Sequence, residues 1–250
     1  MADEPEIIHV AATPLKTFDA ELVNKAAAVI GKDPYTTRLL LTGKIPKIIA
    51  NYQNTEEANS VARGLCALGL VAFACSDSEL RRPFSSNFLV RSIIPDKAEA
   101  TFFKKGDETC TLKAGDVFLI LKGTRQIIEG EQSTTTTRKL NITATLLTGI
   151  PMFRKVKEKT GDAFKTEVFV RIYGPASSEP IIEIVQNDFD YSFLKDRLAP
   201  TSSQNLNKTA DFLMETFPRS IFDDTLAAHS EATEVNCRLV YLYHKAREVC

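Results

Sequence analysis

The sequence predicts an α+β protein in two parts. A small βααβαβ sandwich comes first. A mainly antiparallel β barrel or sandwich follows, closed by one helix, and a further amphipathic helix ends the chain. Three observations carry this reading. Over the first eighty residues, apolar positions recur at helical spacing in three stretches separated by short apolar runs. A polar segment rich in serine, proline and arginine follows at 76–87. Beyond it the period changes to two, and Val, Ile, Phe and Thr dominate. The chain is therefore read as a module over 1–80, a β-rich domain over 88–222 and a helical segment over 225–250.

In the first module, EIIHVAAT (6–13) reads as the opening strand. The helix formers of 19–30 follow and stop at Gly31. Asp33 caps a second helix with Pro34 in its first position, and that helix runs to Gly43. KIIANY (47–52) suits a strand. Asn54 or Thr55 starts a third helix, with Glu56 and Glu57 favourably placed in its first turn and Gly69 after its last. LVAFAC (70–75) is apolar without alternation, the mark of a strand covered on both faces.

One stretch of this module resembles a known family. Gly43-Lys44-Ile45-Pro46-Lys47, then Thr55-Glu56-Glu57-Ala58, then Leu65 and Leu68-Gly69, are similar to the C-terminal domain of the bacterial ribosomal stalk protein. The Clp-protease adaptor domain resembles the same fold. The likeness covers about a quarter of the chain. It implies a small α/β sandwich that docks other proteins, with Arg38, Lys44 and Lys47 as the basic contacts. Where the stalk family carries several lysines on its factor-binding helices, the matching helix here reads YTTRLLL.

The β-rich part reads as strands at 88–94, 98–103, 109–112, 117–123, 124–130, 139–147, 167–173 and 180–186. Turns at Lys105-Gly106-Asp107 and Ala114-Gly115-Asp116 punctuate them. The helix LNKTADFLMETF (206–217) follows and stops at Pro218. Strands closed by one C-terminal helix resemble a pleckstrin-homology-like domain. In such domains the basic loops between strands bind anionic head groups, which here selects Lys104, Lys105, Arg154, Lys155, Lys157 and Lys159. LKAGDVFLI is also similar to a cupin turn, but 88–222 contains no histidine, which excludes a histidine-ligated metal cupin. The last segment, 230–249, carries Val235, Leu239, Leu242, Ala246 and Val249 as a stripe widened by Val240, Tyr241 and Tyr243. It packs back on the body or mediates a homodimer.

Composition narrows the function. The chain has 250 residues, 44% hydrophobic and 25% charged, with a net charge of −1. These values exclude a disordered or fibrous chain and argue against a dedicated nucleic-acid binder. No apolar run approaches a membrane span. The acidic start MADEPEIIHV does not read as a signal peptide. The expected location is the bacterial cytoplasm, and the five cysteines, odd in number and without a CxxC pair, read as reduced thiols.

No nucleophile elbow, phosphate loop, dinucleotide fingerprint or zinc motif occurs, so no catalytic, cofactor-binding or metal-ligating residue is assigned. Cys237 and His244, seven apart on one helix, stand about 10 Å apart along its axis, too far for one metal ion. Glu179, Glu183, Asp188 and Asp190 read as a solvated strand edge. The expected function is binding of another protein by a non-enzymatic adaptor or regulator. Binding of an anionic ligand or a membrane surface through the basic loops is the alternative, and an enzyme of unrecognised type the second.

Overall fold

A computed structural model describes residues 6–15, 17, 19–84, 88–96, 98–106, 108–129, 134–140, 153–159, 163–228 and 232–250; of 128–129, 134–140, 153–159 and 163–164 it describes the backbone alone. The fold is mixed α and β. Two compact units divide the chain, one comprising 1–125 with 167–250, the other 126–166.

In the larger unit, β1 (Ile8–Ala12), β2 (Lys47–Tyr52) and β3 (Ala72–Ser76) form an antiparallel sheet in the order β2–β1–β3. The helices α1 (Ala20–Ile30), α2 (Pro34–Leu40) and α3 (Thr55–Ala67) connect them, as the sequence predicts. Each starts where a side chain relieves the orphan donors of its first turn: Asp19, Asp33 and Asn54 accept from the backbone N–H of Glu21, Thr36 and Glu56. Gly31 closes α1 at φ 72°, a conformation that strains any L side chain. Alternation along β1 sorts its faces. Ile8, Val10 and Ala12 cluster with Ala26, Ile30, Ala58 and Leu65 of the helices. Ala11 turns the other way with Cys75.

The polar segment after β3 begins as a helix. Residues Asp77–Arg81 form α4, capped by the Ser76 hydroxyl, which accepts from Glu79 N–H at 3.1 Å. A serine followed by two acids in the first turn is a helix start, a signal that the segment's polarity masks.

The β-rich part begins with β4 (Phe88–Pro95), β5 (Glu99–Lys104), β6 (Thr109–Lys113) and β7 (Leu119–Glu129). The smaller unit holds β8 (Thr134–Leu140) antiparallel to β9 (Phe153–Lys159). Then come β10 (Ala163–Tyr173), β11 (Pro180–Val185), the helix α5 (Ser202–Thr216), β12 (Ile221–Leu226) and the helix α6 (Glu234–Ala246). Seven strands make one sheet in the order β12–β7–β10–β11–β4–β5–β6. It is open, which corrects the barrel alternative: β12 and β6 are its edges and do not meet. The pairs β11–β4 and β12–β7 are parallel. The second arises because residues 221–226, assigned to no strand in the sequence reading, return after α5 to lie beside β7.

Helices cover one face of this sheet and the β12–β7–β10 part of the other. On one, Leu206, Leu213 and Phe217 meet Val90, Phe102, Ile120, Val170 and Ile182. On the other, Leu119, Leu121, Phe169 and Tyr173 meet Cys237, Val240 and Tyr241 of α6. The opposite side of α6 sets Leu239 against Ala11, Cys75 and Leu80. Helix α6 therefore lies between the three-stranded and the seven-stranded sheet. Its Arg238, 1% exposed, donates to the carbonyls of Leu80 and Arg82 and stacks 4.4 Å from the Phe84 ring. That contact fixes the end of α4.

Cys66 and Cys250 form a disulfide, which corrects the reading of all five cysteines as reduced thiols. Their separation of 184 residues hides the pair from any local inspection. Cys75, Cys110 and Cys237 are free. No described helix is long and apolar enough to cross a membrane.

Candidate functional site

The basic residues selected from the sequence fall on separate elements. Arg38 stands in the last turn of α2, beside Tyr35, which is 72% exposed, and one position before Leu39, which is 55% exposed. Lys47 folds back so that its Nζ donates to the Thr42 carbonyl, bracing the turn around Gly43. Lys104 pairs with Glu108 at 3.1 Å across the β5–β6 turn, and Lys105 is exposed in that turn. Arg154, Lys155, Lys157 and Lys159 lie on β9, opposite Lys139, Arg138, Thr136 and Thr134 of β8, and their side chains lie outside the described residues.

Lys44 is the exception, because the fold brings it to a built site. A cleft of about 410 Å³ opens where the turn before β2, the segment after β1, strand β12 and the end of α6 meet. Lys44, Thr13, Thr225, Tyr243 and Arg247 line it, together with His244 and Asp223. His244 Nε2–H donates to Asp223 Oδ2 at 2.7 Å, and both side chains are buried. The other Asp223 oxygen accepts from Thr225, through its backbone N–H at 2.9 Å and through its hydroxyl. Burial pushes the Asp223 carboxyl up, but the bonds from His244 and Thr225 outweigh it and hold the group below its ordinary value. The carboxylate is thus ionised and committed to its partners. His244 Nδ1 has no hydrogen-bond partner and essentially no exposed surface.

The sequence reading did not find this pair. Helical spacing relates His244 to Cys237 alone, and Asp223 lies in a strand that the apolar pattern does not announce. A single histidine breaking a broad apolar stripe was the one available signal. It points to a buried polar partner without saying which.

The second buried histidine is used within the fold. His9 Nε2 contacts Asp77 Oδ1 at 2.7 Å, and Nδ1 contacts Asn51 Oδ1 at 2.8 Å. Arg81 Nε donates to the same Asp77 oxygen, and Arg81 and then His9 hold that carboxyl below its ordinary value. Among the described residues, no group of three or more His, Cys, Asp or Glu side chains is placed to hold a metal ion. Comparison with known protein families, characterised proteins and solved structures finds no match for this chain.

Proposed function

We propose that this protein binds a small ligand bearing an oxyanion, a carboxylate or a phosphate, in the cleft beside His244. One observation carries the proposal: Lys44 and Arg247 flank a cleft in which Asp223, the only carboxylate among the described lining residues, is held by hydrogen bonds to His244 and Thr225. The walls therefore present a net positive charge, with the Thr13 and Tyr243 hydroxyls as further polar groups. A histidine oriented by a carboxylate also suits acid–base chemistry. Here the remaining nitrogen is sealed, so the arrangement favours binding over proton transfer.

Titration with inorganic phosphate tests the proposal, read on the ring signals of His244. Saturable shifts are expected, and the double variant K44Q/R247Q is expected to weaken affinity at least tenfold. Each charged bond is worth about 1.5–3 kcal/mol, and 1.4 kcal/mol is a factor of ten. An unperturbed His244 at saturating phosphate, or a double variant that binds equally well, rejects the reading.

A second reading, docking of another protein, rests on α2. Tyr35 and Leu39, four residues apart, are exposed on the same helix face next to Arg38, where the stalk-domain resemblance puts its partner contacts. A photo-crosslinker at Tyr35 in the full chain is expected to trap one partner in cells, and L39D is expected to abolish that product. Crosslinks spread over abundant proteins, unaffected by L39D, count against a specific surface.

A further inference from the structure

We propose that Cys66–Cys250 is an exchangeable disulfide that latches the end of α6, so that a dithiol reductant controls the cleft beside His244. Access is the first argument. Cys250 is exposed, Cys66 is half-buried, and both stand on the wall of a cleft of about 520 Å³ shared with Arg63, Phe73 and Val249. A small thiol or an extended peptide reaches such a wall.

Two of the three free cysteines are of a different kind. Cys75 and Cys237 are buried, and burial pushes the Cys75 thiol up to about 12 and raises the Cys237 thiol as well. Thiols so suppressed do not compete in exchange. In a reducing compartment, an exposed disulfide is of the transient, sensing kind.

The second argument is position. After α6, residues 247–250 are held by backbone bonds reaching back only to 243–246, by a 3.4 Å ion pair of Glu248 with Lys245 and by the disulfide. This one turn borders two clefts. Ala246, Val249 and Cys250 line the disulfide cleft, while His244 and Arg247 line the other. The helix stem is buried and tied through Arg238, so release is confined to the turn that carries Arg247.

The exchange balances. A thiolate of the dithiol attacks Cys250 Sγ, forms a mixed disulfide there and expels Cys66 as thiolate. Arg63, three residues before Cys66 on α3, places positive charge on that helix face. The second thiol of the reductant then closes on the first and releases Cys250. Two electrons and two protons have entered the protein, and the reductant leaves as a cyclic disulfide. The consequence for ligand binding rests on the proposed reading of the His244 cleft; the latch does not.

The test treats the full-length oxidised protein with dithiothreitol without denaturant. Three readouts follow: alkylation mapped by peptide mass, backbone amide exchange, and phosphate affinity. Cys66 and Cys250 are expected to become labelled together while Cys75 and Cys237 stay protected. Amide exchange at 247–250 is expected to rise at least tenfold, with 238–242 unchanged and phosphate affinity several-fold lower. The variant C66S/C250S should behave like the reduced protein without any reductant. Free Cys66 and Cys250 in the air-oxidised protein, or reduction only on unfolding, overturns the proposal. Faster exchange with unchanged phosphate affinity overturns the coupling. Faster exchange in a protein that binds phosphate in neither state supports the latch and rejects the ligand reading instead.

Discussion

A chain that stops after Ala228 is expected not to fold. The deletion leaves β12 complete and removes α6. Ala11, Cys75 and Leu80 are then uncovered on one side, and Leu119, Leu121, Phe169 and Tyr173 on the other. The helix itself buries Cys237, Leu239, Val240 and Tyr241, with Val235 and Leu242 packed at the margins. At roughly 1.5–3 kcal/mol for each large apolar side chain, these contacts amount to about 10 kcal/mol. That is comparable to the whole stability of an ordinary domain, about 5–15 kcal/mol. Gel filtration with light scattering, together with a thermal melt, reads the result. Aggregates without a cooperative transition are expected. A soluble truncated monomer with a sharp melt would make α6 a detachable element and contradict its place between the sheets.

The same helix shows what a sequence can disclose. Its stripe of Val235, Leu239 and Leu242, widened by Val240 and Tyr241, is broader than one docking face requires. That breadth is the signature of a helix covered on two sides, and the structure supplies two sheets. The order of elements in the first module was legible because caps and glycines act locally: Asp19, Asp33 and Asn54 announce their helices within three residues.

What stayed hidden depends on partners far apart in sequence. IFDDTL (221–226) alternates poorly and earns its strand character from β7, about a hundred residues earlier. His244 finds Asp223 only once that strand is in place. The Cys66–Cys250 disulfide requires both ends of the larger unit to be assembled. Of the acidic group at 179–190, read as a solvated strand edge, Asp188 and Asp190 are exposed and Glu183 is buried. Asp188 does meet Arg91 near the surface, at 3.4 Å. Glu183 instead enters the core, where it meets Arg171 of the neighbouring strand and Arg125 of β7.

Those arginines set the second large effect. Glu183 on β11 stands directly opposite Arg171 on β10, and the two are 2% and 3% exposed. Arg171 Nε donates to Glu183 Oε2 at 2.7 Å, and Arg125 donates to Glu183 Oε1 at 2.8 Å. Both guanidinium groups also stack on the Phe169 ring, Arg171 at 4.6 Å and Arg125 at 5.3 Å. Arg171 further lies 4.9 Å from the Phe84 ring, on which Arg238 of α6 is stacked. The variant E183L leaves Arg171 as a buried cation without its carboxylate, whereas Arg125 keeps Glu167. Breaking a buried pair in this way costs about 3–5 kcal/mol. For a chain of this size, a lowering of the melting temperature by roughly 10 °C is expected. The double variant R171M/E183L is expected to recover most of that loss. It removes both buried charges, and with them the Arg171 Nη1 that finds no acceptor in the wild-type protein. If denaturant melts instead place E183L within about 1 kcal/mol of wild type, the pair is solvated rather than buried. A double variant no more stable than E183L would mean that shape, not charge, is what this part of the core requires of the two side chains.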